Sequence, residues 1–182
     1  MSIIDQIAGR FSARDYLEKK VDRALIELCL ESARLAPSAC NKQPWYFVVV
    51  DDPVLKEKAC KAAFDFPPQF NKFAFRAPVV VAVCAEVDFI THKVFGGVKN
   101  IQYYMLDIGA AVENFLLQAS SLGFGSCWLG WFNEKKLKKA LGIPKGVRVV
   151  SLVTLGYPAA QAKKKERKNL KDIYSYNAYR KP

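Results

Sequence analysis

The chain has 182 residues, of which 51% are hydrophobic, 13% aromatic and 25% charged, with a formal net charge of +11 at pH 7. This composition argues against intrinsic disorder and predicts a single domain spanning residues 1–182, because such a chain can offset the entropy of folding by burial. No apolar stretch approaches the ~18 residues of a membrane helix, and residues 1–10 lack the apolar segment of a secretory signal, so we expect a cytoplasmic protein that binds no membrane.

The predicted elements alternate between helices and strands. Asp22 caps a helix that runs to about Leu35, because the residue before Pro37 disfavours the helical region. Short β-branched runs predict buried strands, and N-cap residues or proline mark the starts of further helices. The strands are expected at 45–50, 78–84, 126–131 and 147–155, and further helices after 51–53, at 103–122 and at 134–139 behind the cap Asn133. This order predicts an α/β or α+β fold.

The helix Tyr103–Leu122, closed by Gly123, is apolar around nearly its whole circumference. A helix of this kind is buried on all sides. Packing two such helices together in a homodimer buries them more easily than one small chain can, so we expect a homodimer.

The basic excess is unevenly placed along the chain. Residues 1–132 hold equal numbers of basic and acidic side chains, so the whole excess lies in residues 133–182, mainly in the clusters 134–139 and 163–168. Such a segment favours an anion: nucleic acid, a membrane surface or a phosphorylated ligand. For Lys135–Lys139, a solvated helix face is the preferred interpretation.

Several common site patterns are missing from the sequence. There is no P-loop and no G-x-S-x-G motif, and Gly123-Phe-Gly125 lacks the third glycine and the strand-to-helix order of a dinucleotide fingerprint. The five cysteines form no C-x-x-C pair and His92 is the single histidine, which predicts reduced thiols and no metal site.

Two polar segments remain as candidate sites. In Arg10-Phe-Ser-Ala-Arg14 two guanidiniums flank a hydroxyl, a set of groups that can bind phosphate, although such segments are also common on solvated surfaces. The second segment, residues 37–45, is a polar turn between a helix and a strand, and for this composition an ordinary loop is the commoner interpretation.

Taken together, five segments in this order resemble the flavin-dependent nitroreductase family, and the resemblance extends from Ile3 to the end of the chain. They are Arg10-x-Ser-x-Arg14; Ala36-Pro-Ser with Asn41-x-Gln-Pro-Trp45; Asp107-x-Gly-x-Ala-x-Glu-Asn-x-Leu-Leu-Gln-Ala119; Leu122-Gly-x-Gly-Ser-Cys-Trp-Leu-Gly130; and Gly156-Tyr-Pro158.

The resemblance implies an α+β homodimer with a mixed sheet flanked by helices, a long central helix at the interface, and FMN bound there. FMN carries the chemistry in this family, so no catalytic side chain is expected. One subunit would supply the phosphate, ribityl and pyrimidine contacts, and its partner would supply a loop. The implied FMN-binding residues are Arg10, Ser12, Arg14, Ser38, Asn41, Gln43, Cys127, Trp128, Leu129, Gly130, Lys165 and Arg167.

The implied reaction transfers hydride from NADH or NADPH to an electron-poor acceptor, such as a nitroaromatic or a quinone, by a ping-pong mechanism. Five phenylalanines within residues 64–75 form either an aromatic wall for that acceptor or a satellite hydrophobic cluster. Phe11 and Ala39-Cys40 stand where the family often has polar residues, which predicts weaker FMN binding. The alternatives are other flavin chemistry such as flavin breakdown or dehalogenation, a non-catalytic flavin carrier, and a basic nucleic-acid-binding protein.

Overall fold

The computed structural model describes residues 2–65, 71–86, 101–160 and 166–179. Single 3₁₀ turns lie at Ala39–Asn41, Lys72–Phe75 and Leu170–Asp172. The helices are α1 (Ile3–Gly9), α2 (Arg23–Arg34), α3 (Pro53–Ala63), α4 (Tyr103–Ser121) and α5 (Glu134–Leu141), and the strands are β1 (Trp45–Val50), β2 (Val79–Ala85), β3 (Gly125–Leu129) and β4 (Arg148–Gly156).

The helix ends lie where the sequence places its capping residues. The side chains of Asp22, Asp52 and Asn133 each accept a hydrogen bond from a backbone N–H in the first turn of α2, α3 and α5. Pro53 opens α3, where its missing N–H costs nothing. Gly123, just past α4, has a φ of 79°, a left-handed conformation that glycine adopts without strain.

The four strands form one sheet in the order β1-β2-β4-β3, and neighbouring strands run antiparallel. The predicted α+β class is therefore confirmed. Parallel pairing, within the ranges that the structure describes, is limited to an isolated bridge between Ser12 and Ser126. This bridge adds the segment after α1 to the outer edge of β3.

Side-chain alternation divides the sheet into two buried faces. One face carries Val81, Val83 and Leu155, which pack against α2 and α4. The opposite face carries Val80, Ala82 and Leu152, which pack against α3 and α5. The sheet is thus the middle layer between two pairs of helices.

Helix α4 buries one side in this core and leaves another side exposed. Ile108, Val112 and Phe115 are buried, whereas Met105 is 41% exposed and Leu106 is 65% exposed. A single chain therefore leaves part of the apolar surface of α4 exposed to solvent. None of the helices in the described ranges has both the length and the apolar character that crossing a bilayer requires.

The cysteines differ sharply in exposure, which gives a direct check of the fold. Cys40 is exposed, and the other four thiols are buried. Burial raises the pKa of the Cys29 thiol to about 12 and the pKa values of Cys60 and Cys84 to about 11.

A deprotonated, accessible thiol reacts fastest with a disulfide reagent. In flavin-free native protein at pH 8 we expect rapid labelling at Cys40, with the buried thiols labelled only after denaturation. Rapid native labelling of Cys29 would contradict the packing of α2.

Candidate functional site

Residues 10–16 run in extended conformation beside β3 and the chain that follows β4. The Ala13 N–H donates to the Ser126 carbonyl at 2.9 Å, and the Ala159 N–H donates to the Asp15 carbonyl at 3.1 Å. A Cβ atom placed on Gly125 would lie 2.5 Å from the Cβ of Ala13, closer than real contacts allow. The absence of a side chain at Gly125 is what lets the segment lie against the strand.

The extended segment leaves its polar side chains accessible. Ala13 is buried and Phe11 packs beside it, in a small cluster with Tyr16 and Ala77. Ser12 is half-buried and Arg14 is exposed. Alternation along extended chain puts residues 10, 12 and 14 on the face away from residues 11 and 13. Phe11 is therefore a packing residue beside Ala13, while Ser12 and Arg14 keep accessible side chains.

Both guanidiniums of this segment have defined neighbours. Arg10 Nε lies 3.4 Å from Glu113 Oε1 on α4, and the Arg10 side chain keeps 19% exposure. The Arg14 guanidinium lies 5.8 Å from the centre of the Phe73 ring. Arg76 Nη2 donates to the Arg14 carbonyl at 3.5 Å. Arg76 Nη1 also lies 3.3 Å from Asp15 Oδ1, so three cations meet two carboxylates here, and the remaining positive charge favours an anion.

The end of β3 opens onto free space at Gly130. The side chains of Cys127 and Leu129 belong to the core on the α3 and α5 side of the sheet. Trp128 is 42% exposed on the other side. A Cβ on Gly130 would meet nothing within 4 Å. The backbone of Gly130 is accordingly open to a flat ligand, whereas the Cys127 side chain faces away from such a ligand.

Asn71 anchors the chain just beyond this opening. Its side-chain amide donates to the Trp131 carbonyl at 3.0 Å, and its own φ is 60°. Asn71 is not among the FMN-binding residues that the resemblance implies. The residue type is nevertheless compatible with a turn here, because asparagine is among the residues that tolerate the left-handed region.

The loop with Ser38, Asn41 and Gln43 attaches to a different part of α4. The Ala39 N–H donates to Asp107 Oδ1 at 3.0 Å, and the Gln43 N–H donates to Ser38 Oγ at 3.0 Å. Among the described residues, no hydrogen bond joins this loop to residues 10–14. Arg10 contacts Glu113 and Ala39 contacts Asp107. These two residues of α4 are six positions apart, which corresponds to a rise of about 9 Å along the helix. A single chain therefore carries two separated groups of donors along one helix.

The C-terminal residues stand apart from both groups. Arg167 is exposed, and its Nη1 donates to the neighbouring Glu166 carbonyl at 3.3 Å. Within residues 166–179, the hydrogen bonds that the structure defines join residues of the same segment. The predicted residue Lys165 lies outside the described residues, as do Lys163, Lys164 and His92.

The phenylalanine-rich segment is largely a packing element. Phe64, Phe73 and Phe75 belong to the hydrophobic cluster between the sheet and helices α3 and α5. Phe66 and Phe70 lie outside the described residues. The three described rings therefore pack in the main core, and an aromatic wall for the acceptor stays a prediction. The exposed aromatic surface near Gly130 comes from Trp128 and from Trp131, which is 66% exposed.

A cleft of about 610 Å³ lies elsewhere, between residues 16–21 and the start of α3. Several of its charged side chains are already engaged. Arg23 binds Asp51 through two hydrogen bonds of 2.6 and 2.9 Å, and Lys56 Nζ donates to two backbone carbonyls. These contacts maintain the packing and leave the segment beside β3 as the better candidate site.

Comparison with known proteins decides the family. The nitroreductase family model matches residues 7–157, which include β3, β4 and both groups of donors. The chain belongs to the nitroreductase family.

Individual relatives agree with this family and its fold. A protein of Archaeoglobus fulgidus, provisionally named NADH dehydrogenase/NAD(P)H nitroreductase, is 36% identical over 159 residues, which are 85% of this chain and 84% of that protein. A Bacillus subtilis protein named FMN reductase [NAD(P)H] is 26% identical over 178 residues, covering 91% of this chain and 69% of that protein. A solved nitroreductase family protein from Clostridium novyi NT superposes with a TM-score of 0.76 at 31% identity over 87% of each chain.

The predicted nitroreductase-like fold is thereby confirmed, and the site can be tested against FMN. The cofactor combines a flat ring with a phosphate. The chain offers an open backbone at Gly130 for a ring, and Arg10, Ser12 and Arg14 for a phosphorylated chain. These groups are of the chemical types that FMN requires, a cationic segment for its phosphate and an accessible backbone for its ring.

Proposed function

We propose that this chain is an FMN-dependent oxidoreductase that transfers hydride from NADH or NADPH to an electron-poor acceptor, such as a nitroaromatic or a quinone, by a ping-pong mechanism. The observation that carries the proposal is the cationic segment held against β3 beside the open backbone of Gly130, in a chain of the nitroreductase family. Bound FMN would supply the redox chemistry, accepting hydride and passing it on.

The side chains contact different parts of FMN in this proposal. Arg10 and Ser12 bind the phosphate and ribityl chain, and Arg14 lies toward the pyrimidine edge, where a cation stabilises negative charge on reduced flavin. The backbone at Leu129 and Gly130 supports the ring. Arg167 and Lys165 add positive charge toward the phosphate. No side chain here needs to transfer a proton, because solvent can supply protons to the reduced acceptor.

A homodimer completes the site in this proposal. Ser38, Asn41 and Gln43 would reach the flavin of the partner subunit, since in one chain their loop lies apart from residues 10–14. The exposed apolar surface supports such an assembly. It comprises Ile3, Ile4 and Ile7 on α1, Met105 and Leu106 on α4, and Leu170, Ile173, Tyr174, Tyr176 and Tyr179 near the C-terminus. Large exposed apolar side chains in this number are typical of an interface.

The first experiment measures flavin binding and turnover separately. Purified protein reconstituted with FMN is freed of excess flavin, and the bound flavin is released and quantified. The loaded protein is then mixed anaerobically with NADH or NADPH, followed by a nitroaromatic or a quinone. We expect about one FMN per chain, bleaching of the visible flavin absorption by the nicotinamide, its return with the acceptor, and parallel double-reciprocal plots.

Each step has an outcome that overturns part of the proposal. Protein that binds no FMN refutes the cofactor. Flavin that binds but is not bleached by either nicotinamide indicates a carrier instead of an enzyme. Bleached flavin that returns with oxygen but with neither acceptor refutes the acceptor class.

Trp131 is expected to influence the use of flat acceptors. Its exposed ring follows Gly130, and Asn71 fixes its backbone, so the indole offers a stacking surface beside the flavin. Aromatic stacking contributes about 0.5–1.5 kcal/mol. We expect Trp131→Ala to raise the KM for a quinone roughly threefold to tenfold with a smaller change in kcat, and Trp131→Phe to retain most of the affinity.

Ferricyanide, which is not flat, serves as the control acceptor for Trp131. The alanine variant should use it as well as the unaltered protein does. An equal loss with both acceptors would show that Trp131 acts on the flavin or on the fold and not on acceptor stacking.

A further inference from the structure

Asp107 is a buried acidic residue on α4 that the proposed cofactor contacts leave without a role. The residue is 7% exposed, and its Oδ1 accepts a hydrogen bond of 3.0 Å from the Ala39 N–H. We propose that Asp107 is a positioning residue that holds the loop 38–43 in the shape needed to contact FMN. This inference rests on the proposed function, because that loop is assigned to the cofactor there.

The loop needs an external support because its backbone is strained. Cys40, Asn41 and Gln43 have φ values of 51°, 54° and 48°, in the left-handed region that non-glycine residues seldom adopt. Such residues persist only where surrounding contacts over-determine the conformation. Asparagine tolerates this region, so the strain lies mainly at Cys40 and Gln43, and two such residues within four positions require anchoring.

Hydrogen bonds inside the loop supply part of that anchoring. Ser38 Oγ accepts from the Gln43 N–H at 3.0 Å, and Gln43 Nε2 donates to the Asn41 carbonyl at 3.1 Å. These bonds fix the loop relative to itself, and α2 and β1 hold its two ends. The bond to Asp107 joins the loop itself to α4, a helix that is buried on one side.

The chemistry of Asp107 suits this role. A carboxylate that accepts from a backbone N–H makes a charge-assisted bond, which is stronger than a neutral one. It holds the backbone of Ala39, so the side chains of Asn41 and Gln43 stay exposed beside it. Glu113, on the same helix, contacts Arg10 of the other donor group. Helix α4 thus connects both donor groups to one rigid element.

The test removes the same hydrogen bond from each side. Asp107→Leu removes the acceptor, and Ala39→Pro removes the donor at the start of a 3₁₀ turn, where proline is tolerated. Asp107→Asn keeps an oxygen acceptor and should rescue binding. Asp51→Asn is the control, since it weakens a carboxylate contact to Arg23 far from the loop.

Two readouts are followed in each variant: the Kd for FMN by flavin fluorescence, and hydrogen exchange of peptides that cover residues 38–43. We expect Asp107→Leu and Ala39→Pro each to raise the Kd about tenfold and to speed exchange in the loop alone. The double variant should add little to either single change, because both remove one bond. Asp107→Asn should stay within about threefold of the unaltered protein.

The outcomes separate this inference from the proposed function. If the unaltered protein binds no FMN, the proposed function fails, while the exchange data still test the anchoring of the loop. If FMN binds and both single variants bind it equally well, the positioning role is refuted and the function stands. Faster exchange throughout the chain, as a general loss of stability produces, would also refute it. Should Asp107→Leu not fold, Ala39→Pro alone decides between these results.

Discussion

Replacing Gly125 by alanine is expected to reduce FMN affinity at least tenfold and to destabilise the fold by roughly 1–3 kcal/mol, the usual cost of overpacking. The added Cβ would lie 2.5 Å from the Cβ of Ala13 and 3.0 Å from that of Pro158. Both atoms are fixed to backbone and cannot rotate away. Residues 12–14 must therefore move off β3, and the donors Ser12 and Arg14 move with them.

A compensating variant makes this prediction specific. Ala13→Gly removes the closest obstructing atom, so the double variant Gly125→Ala with Ala13→Gly should recover much of the FMN affinity. Gly146→Ala is the matched control, because a Cβ there meets nothing within 4 Å. The measurements are the Kd for FMN and the free energy of unfolding. Normal FMN affinity in Gly125→Ala would show that the segment beside β3 does not hold the cofactor.

The sequence predicted the elements well because their signals are local. Asp22, Asp52 and Asn133 mark helix starts by hydrogen bonding within one turn, and the structure has all three. The strand expected at 45–50 has those limits, whereas the one expected at 126–131 ends at Leu129. The apolar sequence extends the predicted strand to Trp131, but backbone pairing with β4 ends at Leu129, which lies opposite Leu152. Strand ends depend on the neighbouring strand, which a single segment does not encode.

The site was predicted less completely, because several of its features depend on contacts between distant segments. The role of Phe11 illustrates this. The sequence alone suggests that Phe11 removes a polar contact to FMN. In the structure its ring packs with Ala13, Tyr16 and Ala77. Only the bridge between Ser12 and Ser126 shows which face of the segment is inward. The link between Asp107 and Ala39 was likewise invisible, since those residues lie far apart in the chain.

Arg10→Ala is expected to weaken FMN binding about tenfold to a hundredfold. A hydrogen bond to a charged group contributes about 1.5–3 kcal/mol, and each 1.4 kcal/mol is a factor of ten in Kd. Removing Arg10 also leaves Glu113 as a carboxylate without its cation beside the proposed phosphate. Arg34→Ala is the control, because it deletes the same charge from an exposed pair with Glu31 on α2.

Riboflavin, which lacks the phosphate, identifies the part of FMN that Arg10 binds. The unaltered protein should bind FMN more tightly than riboflavin, and added salt should reduce that preference, because an interaction between exposed charges is screened. In Arg10→Ala the preference should largely disappear, while riboflavin affinity stays within about twofold. An equal loss for both flavins would place Arg10 beside the ring or the ribityl chain. Unchanged binding of both would remove Arg10 from the site and leave Lys165 and Arg167 as the remaining candidate cations for the phosphate.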